Sequence, residues 1–318
     1  MASAYLTPFV ALEEETVRRR DPFQTRRASL TRTYGSQSMS DPLRTVLVRR
    51  PDAAFGAADP KPWGYAAKPD LAAARREHDR LVDLLKQSGA DVRYHEDPQP
   101  RKADSIFVHD PAIVTDRGAF ILRMGKELRR GEEESMARTF DALRVPILAR
   151  LRGDATAEGG DLLWVNHDLL AVGQGFRTNA EGLTQIRETM KGISVEVEAV
   201  PLPYFQGPDA CLHLMSLISV IGDALAVVYP RLFPVPFWKS LREHGFEFVE
   251  VPDEEFNTMA PNVLAVGPRD CIILEGNPIT RKRLEAAGCR VRTYRGKEIS
   301  LKAEGGATCL TRPVLRSK

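Results

Sequence analysis

Four times along this chain an apolar stretch with helical spacing stops at a glycine, and the pattern changes at once to strict alternation. LVDLLKQSGADVRYHEDP stops at Gly89, IRETMKGISVEVEAVPLP at Gly192, WKSLREHGFEFVEVPDEEF at Gly245 and RKRLEAAGCRVRTYRGKEIS at Gly288. Glycine just past a helix accepts the left-handed conformation that ends it, and period-2 alternation marks a strand. A fifth helix is predicted over 132–143, running into a strand around 145–148 without a glycine. Strand pairs lie between the helices: 161–165 with 169–172 about Asn166-His167-Asp168, and 217–220 with 224–229 about Gly222-Asp223. The order strand, strand, helix, strand therefore recurs about five times, at intervals of roughly 45 to 60 residues. Repeats of that length point to a radial or solenoid array rather than one open sheet.

Charge and apolar content exclude several classes. The 318 residues carry 45 Lys and Arg against 43 Asp and Glu, a formal net charge of +2. That balance gives no footprint for a dedicated nucleic-acid binder. The most apolar stretch, 217–229, is broken by Asp223 and is too short to span a bilayer. Residues 1–33 differ from the rest, with Arg18, Arg19, Arg20, Arg26, Arg27 and Arg32 and no sustained apolar period. They read as an N-terminal extension, draped on the surface or contacting a phosphate or partner, ahead of a single catalytic domain over 34–318. The apolar start is followed by Glu13, Glu14 and Glu15, the reverse of a secretory leader, and the four cysteines form no CxxC pair. A reducing, cytoplasmic setting is expected, with a homo-oligomer left open.

The chemistry-bearing residues fall in four segments. Cys309 follows a glycine pair in GGATCLTRP, where backbone and ligand can approach closely. A thiolate is a strong nucleophile once its surroundings favour it. Cys211, Cys271 and Cys289 read as buried structural cysteines. Among six histidines, His78 and His244 read as solvated and His167 as a turn residue, while His95 has no clear task. His213, in CLHLMS, alternates into an apolar region and reads as protected. ADSIFVHDP sets Asp104 and Asp110 at the two ends of a short apolar strand, and AEGGDLL sets Glu158 and Asp161 around two glycines. Buried carboxylates without basic neighbours meet a cation, a metal or water, and no metal-ligand spacing is present, so a cationic substrate is the better match. Gly173-Gln174-Gly175 lacks the third glycine of a dinucleotide fingerprint, and no GxxxxGK[ST] occurs.

These four segments, in this order over about residues 34–315, resemble the guanidine-modifying enzymes, or penteins. That superfamily includes dimethylarginine dimethylaminohydrolases, arginine deiminases and glycine amidinotransferases. The resemblance implies an α/β propeller of five ββαβ units around a pseudo-fivefold axis, with the site in the central channel. It makes Cys309 the nucleophile, His213 the acid/base and Glu158 the carboxylate completing the triad. Asp110 then holds the guanidinium and Asp104 lies in the same binding loop. Arg129 and Arg177 become candidates for a substrate carboxylate, which an arginine can bind through two parallel bonds. Two positions depart from the pattern. Met215 stands where deiminases and amidinotransferases usually carry Asp, and His109 stands where Glu or Arg is common; both are expected to touch substrate. Together they favour hydrolysis of an N-methylated or otherwise substituted arginine to citrulline and an amine, without metal or organic cofactor. Amidino transfer to an amine and a catalytically weak scaffold are the alternatives.

Overall fold

The computed structural model describes residues 32–208 and 210–317, so the arginine-rich extension lies, except for Arg32 and Thr33, outside the described residues. Asp70 accepts a hydrogen bond from the Ala73 N–H and starts the longest helix, α1 (Leu71–Gln87), which buries Leu81, Val82, Leu84 and Leu85 on one side. Gly89, at φ +90°, ends it and turns the chain into the next strand. The other long helices are α2 (Glu132–Ala142), α3 (Ala180–Lys191), α4 (Val235–Glu243) and α5 (Pro278–Ala286).

Each helix joins two neighbouring strands of one small sheet. In chain order these are β1 (Leu43–Val48), β2 (Asp91–Tyr94), β3 (Ala112–Thr115), β4 (Gly118–Ile121), β5 (Ile147–Arg150), β6 (Leu162–Asn166), β7 (Leu169–Gln174) and β8 (Glu196–Pro201). They continue as β9 (Ile218–Gly222), β10 (Leu225–Val228), β11 (Glu247–Glu250), β12 (Leu264–Gly267), β13 (Asp270–Leu274), β14 (Arg290–Tyr294) and β15 (Arg312–Arg316). They form five three-stranded sheets: β3-β4-β5, β6-β7-β8, β9-β10-β11, β12-β13-β14 and β15-β1-β2. In every sheet the first two strands are antiparallel and the third is parallel to the middle one. A parallel neighbour requires a crossover, and the helix supplies it. The fold is α/β, and the five strand-strand-helix-strand units expected from the repeat are present. The fifth unit is assembled from both ends of Thr33–Lys318, which forms one compact unit.

Local differences from the sequence reading have physical causes. Gly245 and Gly288 are left-handed helix ends at φ +80°, but Gly192 caps α3 with right-handed dihedrals (φ −62°) and Ser194 takes the left-handed position at φ +62°. The closing bond from the Val195 N–H to the Met190 carbonyl is the one Gly89 allows at α1, from Ala90 to Leu85. Arg144 (φ +57°) does the same for α2, which delays the following strand from 145 to Ile147. The segment expected as a strand between Asp104 and Asp110 is a 3-10 turn, Ala103–Ile106, followed by further turns, so both carboxylates are buried. His78 is fully buried rather than solvated, with no hydrogen bond to either ring nitrogen; burial holds its pKa down at about 4.

Candidate active site

The first strand of each sheet is preceded by a tight segment, and each such segment delivers one polar side chain. Asp110 precedes β3, Glu158 precedes β6, His213 precedes β9, Asn262 precedes β12 and Cys309 precedes β15. The repeat thus places five functional side chains at equivalent points of five units. Asp110, Glu158, His213, Asn262 and Cys309 all line one cavity of about 410 Å³, with Trp63, Phe107 and Phe256 among its apolar walls. A larger concavity, about 1080 Å³ beside Arg49, Tyr94 and Pro98, has no comparable convergence of catalytic groups. Chemistry, not volume, identifies the site.

Glu158 and His213 form its buried centre. The His213 Nε2 lies 2.8 Å from Glu158 Oε2, while Glu158 Oε1 accepts the Lys126 backbone N–H at 2.9 Å and has Arg177 Nη1 at 3.5 Å. Burial works to raise the Glu158 carboxyl, but the hydrogen bond and charge of His213, then Arg177, hold it well below the usual carboxylate range. Burial also works against the imidazolium. The neighbouring Cys211, Asp161 and Glu158 outweigh it and hold His213 well above its ordinary value. The ring is therefore charged at neutral pH, fixed between Glu158 and the Cys211 sulfur, which lies 3.5 Å from Nδ1. Two glycines make room: a Cβ on Gly160 would overlap the His213 ring, and one on Gly159 the His109 carbonyl. Asp161 accepts the Leu214 N–H at 2.9 Å and the Thr178 hydroxyl at 2.6 Å, tying this turn to the one that carries His213.

Cys309 sits half-buried after the glycine pair. Gly305 packs where a Cβ would meet the Phe107 ring, and Gly306 where it would meet Asn262. Asn262 Nδ2 donates to the Cys309 sulfur at 3.2 Å, and its Oδ1 accepts the Thr308 N–H at 3.0 Å. Burial, then the Asp110 carboxylate, push the Cys309 thiol up to about 11, with His213 partly offsetting them. At neutral pH Cys309 therefore rests as a thiol.

The remaining predicted residues divide into those that face the cavity and those that do not. Asp110 accepts the Gly160 N–H at 3.0 Å and Arg129 Nη1 at 2.6 Å. Burial would raise its carboxyl, and Arg129 then His213 more than offset that. Arg129 lines the cavity, but its guanidinium is bound by Asp110, Glu132 and the Phe107 carbonyl, so it is already committed within the chain. Arg177 lines the cavity with only the longer Glu158 contact. Asp104 accepts Tyr65 Oη at 2.7 Å and Lys126 Nζ at 2.6 Å. Met215 and His109 are not among the cavity-lining residues. Met215 belongs to an apolar cluster with Leu214, Leu217 and Ile218, because Leu214–Ser216 is a 3-10 turn that breaks the alternation through His213. His109 points away, its Nδ1 donating to the Thr311 carbonyl at 2.9 Å. Cys211, read as structural, lines the cavity instead. Asp161, paired with Glu158 in the sequence, does not line the cavity but supports the turn that carries His213. Asn262 and Lys126 escaped sequence reasoning as site residues, and of the two only Asn262 had a usable signal, its place just before a first strand.

Comparison with known proteins agrees with this arrangement. A family model described as N,N dimethylarginine dimethylhydrolase, eukaryotic, matches residues 53–316. The N(G),N(G)-dimethylarginine dimethylaminohydrolase of Pseudomonas aeruginosa is 29% identical over 247 residues, covering 78% of this chain and 91% of its own length. A solved structure of that dimethylarginine dimethylaminohydrolase, a cysteine-to-serine mutant complexed with citrulline, superposes with a TM-score of 0.72 at 26% identity, covering 85% of this chain and 99% of the other. An amidinotransferase of saxitoxin biosynthesis from Microseira wollei shares the fold alone, with a TM-score of 0.74 at 14% identity, covering 90% of this chain and 98% of the other. Five ββαβ units, the four ordered motifs and a family match spanning most of the chain converge: the chain belongs to the N,N dimethylarginine dimethylhydrolase family of the pentein superfamily.

Proposed function

We propose that this protein hydrolyses a carbon–nitrogen bond of a guanidino compound through a covalent intermediate on Cys309. The observation that carries the reading is the convergence, in one cavity, of a thiol, a charged imidazole bound to a buried carboxylate, and a second carboxylate, Asp110. Asp110 and Glu158 provide negative charge for a planar cation and would turn its carbon toward the sulfur. Guanidinium binding also cancels the Asp110 charge that holds the thiol up, so substrate arrival favours the thiolate, the thiol proton passing to solvent because His213 is already protonated. The sulfur attacks the guanidinium carbon, and the amine leaves with a proton from His213. Water, deprotonated by His213, then adds to the S-bound carbon, and the thiol departs to leave a ureido product. For an N-methylated arginine, the head group that the relatives' names offer first, the products are citrulline and a methylated amine. Arg177 is the wall cation best placed to meet a substrate carboxylate.

The test is incubation with a panel of guanidino compounds, with and without added amines, followed by mass spectrometry. Ureido products and a transient adduct on Cys309 are expected, both lost in Cys309→Ala. Amidino products formed only with added amine would make the protein a transferase. Turnover that survives Cys309→Ala, or its absence across the panel in folded wild type, would overturn the reading.

A further inference from the structure

Directly behind the catalytic segments lies a second, much smaller cavity of about 10 Å³, lined by His109, Trp164, Arg312, Arg316, Ser36 and Ser38 among others. That volume holds roughly one water-sized particle. Its polar lining is rich in unpaired donors. Trp164 Nε1, Arg312 Nε and Nη2, and Arg316 Nε are buried without a hydrogen-bond partner, and so is His109 Nε2, which is the acceptor nitrogen of its ring because Nδ1 holds the proton given to Thr311. The four residues are between 2% and 6% exposed. Ser38 Oγ accepts from the Ser40 and Asp41 N–H groups, which leaves its hydroxyl hydrogen free to donate.

Charge is one-sided. Arg316 gives two N–H groups to the carbonyls of Asp41 and Ala265, and Arg312 has no hydrogen bond to any described residue. Neither guanidinium has a carboxylate within ion-pair distance among the described residues. Asp110 acts on Arg312 and Asp41 on Arg316 through charge beyond ion-pair distance, and each acid has a direct partner of its own, Arg129 and His167. Burial pushes Arg312 down to about 9 and Arg316 to about 10, yet both remain cations at neutral pH. Two desolvated positive charges facing one cavity require a counter-charge. A water molecule can accept two of the orphan donors but brings no charge.

We propose that this cavity is a buried binding site for a small monovalent anion of the halide type, with chloride as the form available in solution. Arg312 and Arg316 supply the charge, and Trp164 and the serine hydroxyls supply neutral donors. The volume excludes polyatomic anions such as sulfate or gluconate. Position gives the site a consequence. His109 immediately precedes Asp110, Trp164 lies in the strand that follows Glu158, and Arg312 begins the strand that follows Cys309. An anion there draws together three of the segments that deliver catalytic side chains.

The experiment uses the full chain exchanged into gluconate and titrated with chloride at constant ionic strength. Thermal stability should rise along a single-site saturation curve, by roughly 5 °C or more at a hundredfold excess over the dissociation constant. Crystals grown in bromide should show one anomalous peak between Arg312 and Arg316. In Arg312→Gln, which keeps length and hydrogen bonding but not charge, chloride affinity should fall at least tenfold. Equal melting temperatures in chloride and gluconate, or bromide-grown crystals with only a water in this cavity, would overturn the proposal without recourse to any variant.

Discussion

Cys309 shows how a single charge sets reactivity. Its thiol is held at about 11 first by burial and then by the Asp110 carboxylate, so at neutral pH roughly one molecule in ten thousand is a thiolate. Asp110→Asn removes a negative neighbour, so the thiol pKa must fall. Alkylation of Cys309 by iodoacetamide at pH 7–8 should then be faster in this variant than in wild type, although substrate binding weakens by about 3–5 kcal/mol through loss of the buried acceptor. Slower alkylation would mean that Asp110 does not act on the sulfur. Met215 makes the opposite point. As a cavity residue it was expected to select substituted guanidines, and Met215→Asp would have moved preference toward arginine. Packed among Leu214, Leu217 and Ile218, an aspartate there is instead a buried, unpaired charge. The expected outcome is a loss of about 3 kcal/mol or more in urea unfolding, with no gain in arginine turnover. A folded Met215→Asp of normal stability that prefers arginine would restore the earlier view.

At the scale of elements, the Glu158–His213 pair depends on turns rather than on strands. Gly160 lies against the His213 ring, so Gly160→Ala must displace the imidazole from Glu158 or move the turn. Turnover should drop at least a hundredfold, in keeping with the typical worth of a general acid or base, while melting temperature falls only a few degrees. Full activity in Gly160→Ala would show that the pair tolerates a shift. This dependence also explains what the sequence could tell. The five helices and their stops were legible because Gly89, Gly245 and Gly288 occupy left-handed positions that other residues rarely take. Ser194 and Arg144 fill the same position without that signature, and there the boundaries slipped. That Cys309, His213, Glu158 and Asp110 share one cavity was legible from the resemblance carried by four motifs. Lys126 was not, because its bonds to Asp104 and Glu158 span 22 and 32 residues and no local pattern encodes them. Met215 and His109 were misplaced for a related reason: Met215 lies in the 3-10 turn Leu214–Ser216 and His109 in the turn at 108–110, so strand alternation does not decide where either side chain points.

Across the described residues, the five sheets are built from residues 43–316. Gly35 donates its N–H to the Val314 carbonyl and its own carbonyl accepts from the Arg316 N–H, and β1 starts at Leu43. Deletion of residues 1–33 should leave hydrolysis largely intact, since Asp110, Glu158, His213 and Cys309 all lie downstream. Loss of activity in a folded truncation would assign the arm a role at the channel or in assembly. The sheet β15-β1-β2 joins the two ends of the domain, and Cys309 leads into β15. During synthesis, then, four units have their strands in hand before β15 emerges. Contacts between residues so far apart in sequence are slow to form, because the intervening chain must be ordered before they are rewarded. In the growing chain Asp110, Glu158 and His213 are made before Cys309, and the sheet β15-β1-β2 lacks its first strand until residues 312–316 follow. A chain cut ahead of Cys309 would have no sulfur for the proposed reaction and would leave β1 with an unpaired edge.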